Sequence, residues 1–259
     1  MEQNKHIQEG YQISVKVSVV VATYKQPQVL PLALASLLDQ TLSDIEIIVV
    51  PYAEDEETMA LLKNYPVETV VSKEKNYIHQ RNLGIEKAKG EYVTFFDSDD
   101  FALPYKLEQE YALAKLKDAA LVYSTYIRAD GTLTPLVLGN VASNFLFDVP
   151  IMPPPSYQAL LQSCYIYDFS LVAAGMYTEF GPLDEKLKQA AMYDKWLHIM
   201  ENYGHRIFFN PHPTFLYRTY PEQMHLTEQQ RPEHNELMNQ VRMASLERYQ
   251  KRQRQWQKM

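Results

Sequence analysis

The chain has 259 residues, 46% apolar and 22% charged, an ordinary globular composition that favours neither a disordered nor a fibrous protein. Its 25 basic and 32 acidic residues leave a net charge of −7, so no broad, sequence-independent nucleic-acid surface is expected. The eight glycines come no closer than six residues apart, a spacing that writes neither a G-x-G-x-x-G dinucleotide loop nor a G-x-x-x-x-G-K-[ST] phosphate loop.

Residues 1–15 read as a polar N-terminal extension without the apolar core of a signal peptide. From Lys16, short β-branched runs alternate with longer helical periods, the pattern of βαβ units in an α/β domain with a mostly parallel central sheet flanked by helices. The expected strands are KVSVVVA at 16–22, DIEIIVV at 44–50, VETVV at 67–71 and EYVTFF at 91–96. The last three are near-continuous apolar runs, as for strands covered on both faces. Between the first two, Val29, Leu30, Leu34, Leu37 and Leu38 share one face of a helix. Further helices are expected over 56–64 and 78–89, the second stopped by Gly90.

After residue 100 the rhythm changes. A helix over 104–117 is followed by AALVYSTYI, the pair Asp130-Gly131 and TLTPLVL, which read as a small antiparallel hairpin. AAMYDKWLHIMENYG reads as a helix with Met192, Trp196, Ile199 and Tyr203 on one side, closed by Gly204, and IFF and FLYR as strands. The body of the domain is expected over 16–230, and residues 231–259 form a basic amphipathic C-terminal helix. Its apolar side, with Leu237, Met238, Val241, Tyr249 and Trp256, suits either peripheral contact with an anionic membrane or packing on the domain. With no run long enough to span a bilayer, the expected localisation is cytoplasmic, with the membrane surface as the alternative. The single cysteine, Cys164, reads as a small buried apolar residue.

The sharpest chemical feature is Asp97-Ser98-Asp99-Asp100, at the C-terminal end of the strand EYVTFF. That edge of an open α/β sheet is where ligands bind. Clustered carboxylates there suit a hard cation, Mn²⁺ or Mg²⁺, bridging to substrate phosphates, so a metal can replace the absent glycine cradle. Taken alone, the motif also fits an N-cap by Asp100 with the other two in water. An EF-hand is ruled out because Phe101 and Ala102 stand where an oxygen ligand and glycine are needed. An aspartyl phosphatase would use the same D-x-D pair, but there it belongs near the start of the fold.

Four segments in order carry a resemblance: VSVVVATYKQPQVLPLALASLLDQTLSDIEIIVV, RNLGIEKAKGEYVTFFDSDD, GPLDEKLKQAAMYDKWLHIMENYG and LYRTYPEQMHLT. With these the chain resembles the family 2 glycosyltransferases from about residue 17 to 227. The resemblance implies a GT-A fold and metal-dependent transfer of a sugar from a nucleotide-diphospho-sugar, UDP-linked, to an acceptor hydroxyl in glycan or cell-surface polysaccharide assembly. The acceptor would be a glycan, lipid-linked or protein group. It places Ala22, Thr23 and Tyr24 at the nucleotide base, with Tyr24 stacking on it, and Arg81 towards the diphosphate or uracil end. Asp97 would meet the ribose, Ser98 the donor, and Asp99 the cation.

Two departures stand out. Pro51, Tyr52, Ala53 and Glu54 replace the family's Asp-Asp-Gly-Ser, leaving Tyr52 or Asp55 to serve the base. Ala191 and Met192 replace the Glu-Asp pair that supplies the general base, leaving Asp194 as the candidate, with Asp184 or Glu185 as weaker substitutes. His225 and His212 lie where the family at times adds a metal ligand, and Tyr220 occupies the usual histidine position. The alternative implied by these losses is a non-catalytic nucleotide-sugar-binding or scaffold protein.

Overall fold

The computed structural model describes residues 14–141, 144–220 and 232–256. The first half alternates strand and helix: β1 (Val17–Thr23), α1 (Leu30–Leu38), β2 (Ile45–Pro51), α2 (Glu56–Leu62), β3 (Glu68–Thr69), α3 (Tyr77–Lys87) and β4 (Tyr92–Phe95). The second half is irregular: β5 (Phe101–Ala102), α4 (Lys106–Lys117), β6 (Leu121–Ala129), β7 (Val137–Val141), β8 (Asn144–Phe147), α5 (Tyr157–Gln162), β9 (Leu171–Ala173), α6 (Gly175–Glu179), α7 (Ala190–Tyr203), β10 (Ile207–Arg218) and α8 (Pro232–Trp256). Eight strands form one mixed sheet in the order β3-β2-β1-β4-β9-β6-β10-β5. β1 runs parallel to both β2 and β4, while β9 lies antiparallel between β4 and β6. This is the α/β, mostly parallel architecture expected, with β7 and β8 as a separate antiparallel pair.

Apolar runs make the centre of the sheet. Val17, Val19, Val20, Val21, Val49 and Val50 are wholly enclosed, and α3 packs against β1 and β2. Gly84 lets α3 seat against β1: a Cβ there would fall 2.2 Å from Val20 Cγ1. Glycine is thus needed at this position for close helix-strand approach.

Several expectations change. β3 has only two residues and lies at the sheet edge, with Thr69 exposed, so it is not covered on both faces. The turn at Asp130 closes as expected, its Oδ1 accepting from the amides of Thr132 and Thr134. The hairpin ends there, with a single bridge between Ala129 and Pro135. One edge of β6 is taken by β10 and the start of the other by β9, and the returning chain forms β7 and pairs with β8. Gly90 does not stop α3, which ends at Lys87. It marks a close crossing over β1, where a Cβ would lie 2.6 Å from the Ser18 nitrogen. Cys164 is exposed rather than buried.

The C-terminal helix α8 turns its inner side onto the domain. Val241 and Ser245 are buried, and Tyr249 stacks on Tyr157 with ring centres 4.5 Å apart. Glu201 of α7, its side chain fully enclosed, takes Arg248 at 2.9 Å and Arg252 at 3.4 Å. Packing on the domain therefore uses the side that would enter a lipid interface. Among the described residues no helix is long and apolar enough to cross a membrane.

Candidate functional site

After β1 the chain builds outwards to β2 and β3, then crosses back to place β4 on the other flank of β1. Such a switch point opens a crevice beyond the strands' carboxyl ends, where open α/β sheets bind ligands. A cleft of about 440 Å³ lies there. Ala22, Thr23 and Tyr24 reach it from the end of β1, Asp97, Ser98 and Asp99 from the end of β4, and Arg81 from α3.

The acidic segment is held from several sides. Carboxylate oxygens of Asp97, Asp99 and Asp100 lie within 4.8 Å of one another. Asp100 is not an N-cap: α4 starts at Lys106, and Asp100 Oδ1 accepts from the Arg218 amide at 2.8 Å. Arg218 Nε also donates to the Asp99 carbonyl at 2.5 Å, so the end of β10 fixes the backbone of the motif. The Tyr220 hydroxyl donates to Asp99 Oδ2 at 2.7 Å. Desolvation, helped by its acidic neighbours, holds the buried Asp100 carboxyl well above the ordinary range. Asp97 is pushed up to about 7, first by desolvation and then by Asp99 and Asp168, while Arg81 pulls the other way. Its side chain nevertheless opens 46% of its surface to the cleft. A set of hard oxygen donors at a ligand-binding edge, only partly compensated by Arg81 and Arg218, fits Mg²⁺ or Mn²⁺, whose charge would relieve the repulsion.

Arg81 forms part of the cleft wall but is only 4% exposed, its charge engaged by two carboxylates. Its guanidinium spans two carboxylates, Asp168 Oδ2 at 2.5 Å and Asp97 Oδ1 at 3.2 Å, and lies over the rings of Tyr77 and Phe95. Beside it, Gln80 donates to the carbonyls of Thr23 at 2.9 Å and Val50 at 2.6 Å, tying together the ends of β1 and β2. Asn82 exchanges two hydrogen bonds with the Leu183 backbone and anchors the loop before α7.

At the other end of the cleft, Tyr24 meets Tyr52 edge-on with centres 5.8 Å apart, and Lys75 Nζ lies 4.2 Å from the Tyr24 ring. Hydrogen bonding to Lys75 is the main influence lowering the Tyr24 phenol. Thr23 Oγ1 is buried with no hydrogen-bond partner among the described residues. Ser98 donates to Gln26 Oε1.

Other candidates fall elsewhere. Tyr52 reaches the cleft only through Tyr24. Asp55 is buried as the N-cap of α2, accepting from Thr58 N at 3.2 Å and Lys25 N at 2.5 Å, so both oxygens are committed to backbone and neither faces the cleft. Asp194 does not line the cleft: the regular turn of α7 carries it to the α8 side, 3.3 Å from His198 Nδ1 and 3.6 Å from Arg248. Asp184 caps the short turn after it, and Glu185 pairs with His79 at 3.0 Å. His212 is exposed on β10, and His225 lies outside the described residues. Met192 and Tyr193 line the cleft where α7 begins.

Sequence reasoning missed Asp168, Gln80 and Tyr217, all in the lining. Gln80 adjoins Arg81 in a recognisable segment, whereas Asp168 sits alone among aromatic residues with no local pattern to mark it.

Residues 18–180 match the sequence model of glycosyl transferase family 2. The chain is 26% identical over 155 residues to the UDP-Glc:alpha-D-GlcNAc-diphosphoundecaprenol beta-1,3-glucosyltransferase WfaP of Escherichia coli, covering 58% of this chain and 57% of that one. It is 30% identical over 145 residues to the poly(ribitol-phosphate) beta-N-acetylglucosaminyltransferase TarP of Staphylococcus aureus, covering 51% of this chain and 44% of that one. The chain thus spans about half the length of these relatives. The fold is similar to that of S. aureus TarS 1-349 in complex with UDP-GlcNAc, with a TM-score of 0.67 at 18% identity over 87% of this chain and 65% of that one.

Proposed function

The chain belongs to glycosyl transferase family 2, and from that premise we propose that it transfers a sugar from a UDP-linked donor to an acceptor hydroxyl. The observation that carries the reading is the joint placement of an aromatic floor at Tyr24 and a three-carboxylate group at Asp97, Asp99 and Asp100 in one crevice. Tyr24 stacks on the base beside Thr23 and the backbone at Ala22, with Tyr52 backing the ring. Asp97, aligned by Arg81, takes the ribose, with Ser98 beside it.

Asp99 would hold Mn²⁺ or Mg²⁺, whose charge would offset that on the departing diphosphate. The protein's own task is to hold donor and acceptor in line. The acceptor is a glycan, lipid-linked or protein hydroxyl in the assembly of a surface polysaccharide. A relative named for a diphosphoundecaprenol-linked acceptor supports this acceptor class, and a neighbour of similar fold bound to UDP-GlcNAc supports the UDP-linked donor.

Calorimetric titration with UDP tests the reading. Binding is expected in Mn²⁺, absent in EDTA, and abolished by Asp99→Ala; binding that ignores the metal, or no binding in Mn²⁺, would refute it.

A further inference from the structure

Transfer to a hydroxyl needs a group to take its proton, and α7 offers Ala191 and Met192 where a carboxylate is expected, while Asp194 faces α8. Among the described residues lining the cleft, the carboxylates are those of Asp97, Asp99, Asp100 and Asp168. The first three make up the candidate cation group. Asp168 stands apart, on the turn that leads into β9.

That turn is unusually well fixed. Ser170 donates to the Tyr167 carbonyl through both its amide at 3.1 Å and its hydroxyl at 2.6 Å. The carbonyl of the next residue, Phe169, accepts from Lys106 Nζ at 2.8 Å and from Thr94 Oγ1 at 3.0 Å. Lys106 is itself fully enclosed and paired with Glu110 at 2.7 Å. Arg81 then holds Asp168 Oδ2 at 2.5 Å, while Oδ1 has no hydrogen-bond partner among the described residues. With 34% of the side chain exposed, that oxygen can meet a ligand. A base oriented by a third group, with its second atom turned to the reactant, is the arrangement acid–base catalysis requires.

We propose that Asp168 is the catalytic base of this chain, replacing the carboxylate lost from α7; the inference rests on the transfer reading above. The acceptor O–H gives its proton to Asp168 Oδ1 as its oxygen bonds to the anomeric carbon. The bond from that carbon to the diphosphate oxygen breaks, and its electron pair leaves on UDP. Asp168 then passes the proton to water. This single displacement inverts the anomeric centre. Arg81 is a positioning residue, and because it spans Asp97 as well, it fixes the base relative to the donor-holding strand.

The test uses UDP release from UDP-glucose, UDP-galactose and UDP-N-acetylglucosamine, with water as acceptor. Asp168→Asn is expected to slow release about 10²- to 10⁴-fold, with UDP affinity in Mn²⁺ within about threefold of the unmodified chain. Sodium azide attacks without losing a proton, so it is expected to restore UDP release and yield the glycosyl azide in Asp168→Ala but not in Asp99→Ala.

Turnover kept within threefold in Asp168→Asn would overturn the inference. So would joint loss of affinity and turnover without azide rescue, which would make Asp168 a prop for Arg81, or a loss confined to His234→Asn, a second proton acceptor in the lining. A full chain that binds UDP with Mn²⁺ yet releases none from any donor, with or without azide, also overturns it while donor binding stands. Absence of UDP binding removes the transfer reading itself.

Discussion

Asp97 carries opposed influences, an unfavourable setting that raises its carboxyl to about 7 and a guanidinium that favours its charge. An ordinary aspartate titrates near about 4, so between these values the folded, metal-free chain binds a proton that the unfolded chain does not. Its contribution to stability is therefore present at low pH and lost as pH rises towards 7. A cation needs the deprotonated form. The increase in Tm caused by Mn²⁺ is expected to be larger at pH 8 than at pH 6, and an equal increase at both would show that Asp97 takes no part. At this scale the motif D-S-D-D was legible because its chemistry lies in adjacent letters. Asp168 was not, because its role depends on a guanidinium 87 positions away, and the assignment of Asp55 failed because nothing local reveals that both its oxygens serve backbone amides.

Helix α3 works as a carrier, since one element brings Gln80, Arg81 and Asn82 to three different partners. Its seat on β1 depends on Gly84. Gly84→Ala is expected to destabilise the fold by about 1–3 kcal/mol through overpacking against the enclosed Val20. Chemical denaturation measures this, and Val20→Ala in the same chain should recover part of the loss. Equal stability of Gly84→Ala and the unmodified chain would disprove the close seating. The early strands and helices were readable because periodicity marks an element that buries one side or both. The two-residue β3 and the truncated hairpin were not, since whether a strand has a free edge depends on neighbours that arrive later in the chain.

Across the molecule, α8 closes over α5 and α7, and Glu201 is the charged centre of that contact. Glu201→Ala is expected to cost about 1.5–3 kcal/mol, the range for hydrogen bonds to charged groups, and to let trypsin cut at Arg248 and Arg252 before the rest of the chain. Unchanged Tm and digestion order would mean the helix is held by its apolar side alone. Sequence patterning left membrane contact and domain packing open for this helix, since both use the same amphipathic design; the contacts with the domain at Val241, Tyr249 and Glu201 depend on residues far along the chain. The bonds from Arg218 to Asp99 and Asp100 have a consequence for synthesis. The family match ends at residue 180, yet the acidic motif is fastened by a residue 38 positions further on. During vectorial translation the nascent chain exposes its negative loop well before the strand that pins it leaves the ribosome, so the loop stays unfastened until the segment around Arg218 has emerged.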